Sequence, residues 1–299
     1  MHINPIFRIL FILVGISSLH GVSRSQTGDD SLIIDDVLRN HSTKPEIIIP
    51  VLDSILSKYP NTSRRTEVEF DLAVACGKTG QDERAKKLYG NVLRSPGNDT
   101  AVLTADEMMH GNMLSTLNLR NYAAFNMAEL FYKVKDYEQA ISYYKMALYT
   151  YPFRHYSGTD INQHNIKEKN NLADAYAALG RMDSALALLL PYMFNPIRYS
   201  PEAMMKAAYL IMRSSDKDTW CAKLTSALQS TRITDTTMEF QLNSVLIRIP
   251  TVTHEFPNTA VTMTEEMDPN LLKPPANSSE AIKRFKEHLF YKTICGDSH

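Results

Sequence analysis

Two histidines, His155 and His164, lie close together in a polar stretch and are the side chains of this chain best suited to chemistry. Together with Arg154, Tyr156 and Asp160 they could hold a metal ion or an anion. An ordinary solvated loop has the same composition, and such loops are far commoner than ligand sites. We therefore expect neither a metal nor a cofactor here.

The residue patterns of common enzyme classes are missing elsewhere in the sequence. His254 and Glu255 are adjacent, but no second histidine follows four residues after the first, as a zinc-binding HExxH helix requires. There is also no CxxC pair, no GxSxG nucleophile turn, no GxxxxGK[ST] phosphate loop and no GxGxxG turn. We expect a protein that is not an enzyme.

The segment 121–152 has the clearest internal pattern, because small, aromatic and helix-breaking residues recur in it at helical spacing. Its small residues are Ala128, Ala140 and Ala147, its aromatic residues are Phe131 and Tyr144, and Pro152 follows the last apolar position. This spacing predicts two antiparallel helices that meet at the alanines, with a turn near Asp136 and a stop at the proline.

These residues resemble the tetratricopeptide repeat, a helical hairpin of about 34 residues. Counting Asn121 as position one, all six of the family's small, aromatic and proline positions are matched. Weaker copies occupy residues 66–97 and 166–197. The resemblance implies an all-α fold, a right-handed α-solenoid of such hairpins over residues 26–230, which binds a protein or peptide partner on its concave face.

In the resembling family, ligand contacts come mostly from positions 2, 5, 9, 12 and 13 of the first helix of each hairpin. In the best copy these are Tyr122, Phe125, Glu129, Tyr132 and Lys133, and in the next copy they include Lys167, Asn170 and Asp174. A glycan or small molecule held by the aromatic residues is the alternative ligand. Arg154, His155 and Tyr156 lie in an inserted loop that is a second candidate contact region.

Extra residues separate the copies. Residues 97–120 predict an added helix, and residues 153–166, being polar and aromatic, predict a loop. A half-copy is expected at the start of the array, with helices near 31–39 and 48–60, and a further hairpin is expected from helices at 201–213 and 218–229.

The first 25 residues have the pattern of a secretory signal peptide. Arg8 precedes an apolar run over residues 9–16, and small residues come before an expected cleavage after Ser25. The run is much shorter than the roughly 20 residues that span a bilayer, so we expect no integral membrane span after cleavage. Gln26 after the cleavage site resembles exported proteins of Bacteroides-type bacteria, which implies a periplasmic or cell-envelope location.

Charge and cysteine content limit the partners and the compartment. The formal net charge is −1, which argues against a nucleic-acid partner because such partners require clustered basic residues. Cys76 replaces an aromatic repeat residue and is expected to be a buried thiol. Cys221 and Cys295 could form a disulfide or could both be buried, and the sequence leaves their pairing open. It also leaves the oligomeric state open.

The alanine-rich pattern ends near residue 230, and residues 231–299 predict a small irregular appendage. Residues 240–249 fit a helix through Leu242, Leu246 and Ile249, or a strand over 245–249, and the spacing slightly favours the helix. Prolines predict an extended stretch beyond it. Asn277 opens a last helix, which we expect to cover the open end of the helical array.

Overall fold

A computed structural model gives the structure of residues 44–96, 118–155, 157–193, 200–213, 217–234, 237–250 and 275–296. These ranges contain eleven α-helices and three β-strands. The helices are α1 (Pro45–Lys58), α2 (Arg65–Lys78), α3 (Asp82–Arg94), α4 (Leu119–Lys133), α5 (Tyr137–Lys145), α6 (Gly158–Ala178), α7 (Met182–Leu189), α8 (Ser200–Arg213), α9 (Lys217–Gln229), α10 (Ser278–Glu287) and α11 (Leu289–Cys295). The strands are β1 (Arg232–Ile233), β2 (Thr237–Leu242) and β3 (Val245–Pro250). A π-helical turn over Met146–Thr150 extends α5, and a short 3₁₀ turn over Leu190–Tyr192 follows α7.

Consecutive helices pack against each other in pairs, α2 with α3, α4 with α5, and α6 with α7. The alanines that predict the best pair are fully buried, since Ala128, Ala140 and Ala147 each have 0% exposure. Tyr144 is also buried, and Cys76 fills the equivalent core of the α2–α3 pair. The mostly helical fold and this pairing are therefore as the sequence predicts.

The helices expected at 201–213 and 218–229 are present as α8 and α9, and the second helix of the half-copy is present as α1. Three predicted features lie outside the described residues: the signal peptide, the first helix of the half-copy, and residues 97–117 of the first insertion.

The second insertion differs from the prediction, because only its first residues form a loop. Helix α6 begins at Gly158, so residues 158–166 are helical instead of irregular. The Ser157 hydroxyl accepts a hydrogen bond from the Asp160 backbone N–H at 3.3 Å and caps this helix. These added helical turns are polar and have little apolar periodicity, which is why the sequence did not predict them as helix.

The prediction of a helix over residues 240–249 is wrong, and an all-α description is therefore incomplete. Strands β1, β2 and β3 form an antiparallel sheet, with Leu242 paired to Val245 at the hairpin end. Asn243 and Ser244 both have positive φ, of 49° and 64°, which is the backbone of a two-residue type I′ turn. Along β2, Met238, Phe240 and Leu242 point into the core.

The carboxy-terminal region packs onto the last helical pair, because α11 contacts both α8 and α9. Its expected single helix is divided at His288, which has an extended backbone and separates α10 from α11. The Asn277 side chain caps α10 by accepting from the Glu280 N–H at 3.0 Å. A disulfide joins Cys221 of α9 to Cys295 of α11, with 5.1 Å between their Cα atoms.

Candidate functional site

Helices α2, α4, α6 and α8 are the first helices of successive pairs, and side-chain contacts link each of them to the next. We call the surface made by these four helices the first-helix face. It carries all eight helical residues that the resemblance implies as partner contacts, five on α4 and three on α6.

One set of contacts joins position 5 of a first helix to position 2 of the following one. The ring centroids of Phe70 on α2 and Tyr122 on α4 are 6.3 Å apart. The Lys167 ammonium on α6 lies 5.5 Å from the ring centroid of Phe125 on α4, a cation–π distance. Phe125 also meets the ring of Tyr144 edge-on at 5.5 Å. Tyr122 and Phe125 of α4 are therefore partly covered by their neighbours.

A second set joins position 9 of a first helix to position 6 of the next. Asn171 Nδ2 donates to Glu129 Oε1 at 2.9 Å, and Lys206 Nζ lies 2.6 Å from Asp174 Oδ2. The Tyr144 hydroxyl donates to the same Glu129 oxygen. Burial, and then this hydrogen bond, raises the pKa of Tyr144 well above its usual range, so the hydroxyl stays protonated and remains a donor. Glu129 and Asp174, the two acids among the expected contact residues, thus have polar partners inside the chain.

The remaining expected contact residues differ in what they present to solvent. Lys133 is exposed and lies 2.7 Å from Asp82 Oδ2 of α3. Tyr132 is half-buried and packs edge-on against Tyr137 at 5.2 Å. Asn170 is only 8% exposed, so its side chain belongs to the interior.

A buried polar network holds the start of α4 to the segment that follows α5 and to α6. Asn121, 1% exposed, donates through Nδ2 to Ala147 O at 3.2 Å, Tyr151 O at 3.0 Å and Glu168 Oε1 at 2.9 Å. His164 Nε2 lies 3.0 Å from Asn121 Oδ1 and 3.1 Å from Glu168 Oε1. The Asn121 amide oxygen can only accept a hydrogen bond, so Nε2 is the ring nitrogen that carries the proton.

Aromatic stacking completes this junction. The ring of His164 stacks on Phe153 at a centroid distance of 3.9 Å, and Tyr122 meets both rings edge-on at 5.5 and 5.9 Å. Burial, and then the nearby Glu168, raises the pKa of Tyr122. Tyr122 therefore acts as packing between repeats more than as a free contact residue.

The inserted loop is anchored by Asn118, which is also buried. Its side-chain amide donates to Arg154 O and accepts from Arg154 N, both at 2.8 Å. His155 Nδ1 lies 3.1 Å from Asp160 Oδ2, whereas His164 turns inward to Glu168. The two histidines thus have different acidic partners, although both rings stack on Phe153. Tyr156 lies outside the described residues. Within the described ranges, no three His, Cys, Asp or Glu side chains form a group that could hold a metal ion.

Helix α8 adds residues to the first-helix face that the expected contact set omits. Counting Pro201 as position one, the buried Ala208 and Ile211 fall at core positions 8 and 11. Positions 5, 9 and 12 are then Met205, Tyr209 and Met212, which are 66%, 53% and 46% exposed. Arg213 follows at position 13. Continuing the repeat phase into α8 would have identified all four from the sequence.

Comparisons with known proteins agree with this geometry over one hairpin. A family model described as tetratricopeptide repeat matches residues 123–152, which cover most of α4 and all of α5. No curated protein and no solved structure matches the chain significantly. No helix in the described parts of the chain has the length and apolarity needed to cross a bilayer. The chain thus contains a tetratricopeptide-like repeat, a type of helical hairpin that suggests a scaffold for protein–protein interaction.

Proposed function

We propose that this protein is an exported, non-enzymatic scaffold that binds another protein or a peptide along the first-helix face, within a bacterial cell envelope. The observation that carries the proposal is the contact series from Phe70 to Lys206, which joins four helices into one continuous surface. Helices held side by side in this way present side chains at fixed spacings, and an extended or helical segment of a partner can bind to them.

Two features support export. The amino-terminal sequence has the basic, apolar and small-residue order of a signal peptide. The Cys221–Cys295 disulfide favours an oxidising compartment such as the periplasm, because reductants keep most cytosolic thiols reduced.

Capture of a glycan or small molecule is the second candidate function. Sugar rings bind to the open faces of aromatic side chains, but Tyr122 and Phe125 are partly covered by Phe153, His164 and Tyr144. This packing favours a protein or peptide partner over a stacked sugar. A thermal-shift screen with sugars and with peptides separates the two functions, because only a ligand that binds should stabilise the protein. At 100 times its dissociation constant, a ligand stabilises the protein by about 2.7 kcal/mol.

Two lysines offer a matched pair for testing the first-helix face. Lys167 lies over Phe125 at 5.5 Å, and Lys145, on α5, lies over Tyr176 at 5.6 Å. Both are exposed, so reversal of either charge changes the surface at little cost to stability. Immobilised mature protein, Lys167→Glu and Lys145→Glu would be incubated with solubilised cell envelopes, and bound proteins quantified by mass spectrometry.

We expect at least one envelope protein to be captured by the wild type and by Lys145→Glu, and to be reduced about tenfold with Lys167→Glu. Equal capture by all three would exclude the first-helix face as the binding surface. Export is tested separately by fractionating cells and determining the amino terminus of the mature protein. We expect a soluble or partner-bound envelope species beginning at Gln26, and an intact amino terminus in the cytosol would contradict the proposal.

A further inference from the structure

Helix α8 exposes an apolar strip that its counterparts on the first-helix face do not. Met205, Tyr209 and Met212 are spaced by four and three residues, so they lie on one side of the helix. Their exposures of 66%, 53% and 46% make them three of the seven large hydrophobic side chains exposed in the described residues. Such clustering marks an interaction surface, because isolated exposed hydrophobic residues are ordinary and contiguous ones are not.

The strip occupies positions that contact a following helix elsewhere in the chain. Position 5 of α4, Phe125, is covered by Lys167 of α6, and position 9 of α6, Asp174, is paired with Lys206 of α8. Met205 and Tyr209 hold the same two positions on α8. Helix α11 also packs against α8, but it has only seven residues, and the strip stays exposed beside it.

Resting on the proposed function, we propose that the strip of Met205, Tyr209 and Met212 binds an amphipathic helix of another protein, with an acidic residue beside its apolar stripe. The bound helix takes the place that a following first helix would occupy. A helix is favoured because positions 5 and 9 of the preceding first helices are met by helices, and helical side chains fit between ridges spaced by three and four residues.

The chemistry of the strip defines the partner's apolar stripe. Methionine side chains are flexible and polarizable, and they adapt to aliphatic and aromatic groups of different shape. We therefore expect Leu, Ile, Met or Phe in the partner at spacings of three and four residues, without a requirement for one particular side chain.

The charges around the strip define the acidic residue. Lys206 is paired with Asp174, whereas Arg213 lies with its guanidinium 5.5 Å from the ring centroid of Tyr209 and donates to the Tyr209 hydroxyl at 3.3 Å. Arg213 pairs with no carboxylate among the salt bridges of the described residues, and it retains donors for one on a partner. A second copy of this chain is a poorer occupant, because a two-fold contact would place the strip against itself, and the strip has no carboxylate to pair with Arg213.

The test uses a phage-displayed library of random 18-residue peptides selected on the disulfide-bonded mature protein. The most enriched peptide is then synthesised, and its dissociation constant is measured by fluorescence anisotropy. Tyr209→Ser is compared with Tyr149→Ser, a matched control, because Tyr149 is 63% exposed and lies in the π-helical turn after α5, outside the strip and not on a first helix. Circular dichroism confirms that both variants are folded.

We expect enriched peptides with an apolar i, i+4, i+7 pattern beside an acidic residue. Their dissociation constant should rise about tenfold or more with Tyr209→Ser and stay within about twofold with Tyr149→Ser. Enrichment without that pattern, or equal affinity for both variants, would overturn the inference. So would an equilibrium dimer of the free protein that Tyr209→Ser dissociates, or a photo-crosslink from position 209 to residues 251–274 of the same chain.

The outcome is separable from that of the proposed function. Loss of envelope partners with Lys167→Glu, together with unchanged peptide affinity in Tyr209→Ser, would remove the strip alone and leave the first-helix face in place. Equal partner capture by Lys167→Glu and the wild type would instead count against the first-helix face.

Discussion

Replacing Asn121 by Ala is expected to destabilise the protein strongly, because this polar side chain is buried and hydrogen-bonded. The side chain lies at the junction of α4, the segment after α5 and α6, where it is 1% exposed. Its two Nδ2 hydrogens serve three acceptors, and its oxygen accepts from His164. Alanine cannot replace any of these hydrogen bonds.

The magnitude follows from the partners that lose them. A hydrogen bond to a carbonyl contributes about 1 kcal/mol and one to a charged group about 1.5–3 kcal/mol. Glu168 has 0% exposure, and its Oε2 already has no hydrogen-bond partner among the described residues, so its loss of Asn121 adds a desolvation cost. We expect Asn121→Ala to lower the free energy of unfolding by about 4 kcal/mol, a large part of a typical total of about 5–15 kcal/mol.

The matched control is Asn171→Ala. Asn171 donates a single hydrogen bond, to the exposed Glu129, and its removal is expected to cost about 0.5 kcal/mol. Urea unfolding followed by far-ultraviolet circular dichroism gives both free energies, and the denaturant slope should stay unchanged. A loss below about 1 kcal/mol for Asn121→Ala, or equal losses for the two variants, would refute the view that this network holds the repeats together.

Two further predictions concern the carboxy-terminal region. The denatured protein should contain one reactive thiol, Cys76, before reduction and three after it. Replacing both Cys221 and Cys295 by Ser should lower the free energy of unfolding by about 2–4 kcal/mol, because the disulfide closes a loop with a sequence separation of 74. Three thiols before reduction would contradict the disulfide. Ser244→Gly should raise the free energy of unfolding by about 0.5 kcal/mol, because Ser244 has a φ of 64° that glycine adopts without strain; a lower unfolding midpoint in urea would contradict the type I′ turn.

The helical pairs could be predicted because the sequence places small residues where backbones approach. Ala128 and Ala140 are fully buried where α4 and α5 meet, and larger side chains there would push the helices apart. This signal is local and repeats with the helical period, so it needs no knowledge of distant contacts. The same phase leads correctly into α8, although the polar first turns of α6 escape it.

The β-hairpin could not be decided from apolar spacing alone. In the segment 238–249, buried side chains fit a period of two along β2, while Leu242, Leu246 and Ile249 also fit a helical period. The turn decides between them, because Asn243 and Ser244 both adopt positive φ, and asparagine is one of the few residues that does so readily. Asn-Ser is a weaker turn signal than Asn-Gly, which is why the sequence did not reveal the hairpin.

The candidate site was harder to predict than the fold because side-chain type does not reveal where a side chain points. Tyr122 and Phe125 hold binding positions of the repeat, yet partners from other helices cover part of both rings. Phe70 of α2 precedes Tyr122, but the other covering residues come from following segments, so this coverage ends where the first helices of the described residues end. Met205 and Tyr209 lie at that end, and their high exposure follows from position in the stack. The most accessible apolar surface of the first helices is therefore expected on α8, which is the last of them in the described residues. The most recognisable repeat lies earlier, in the middle of the chain.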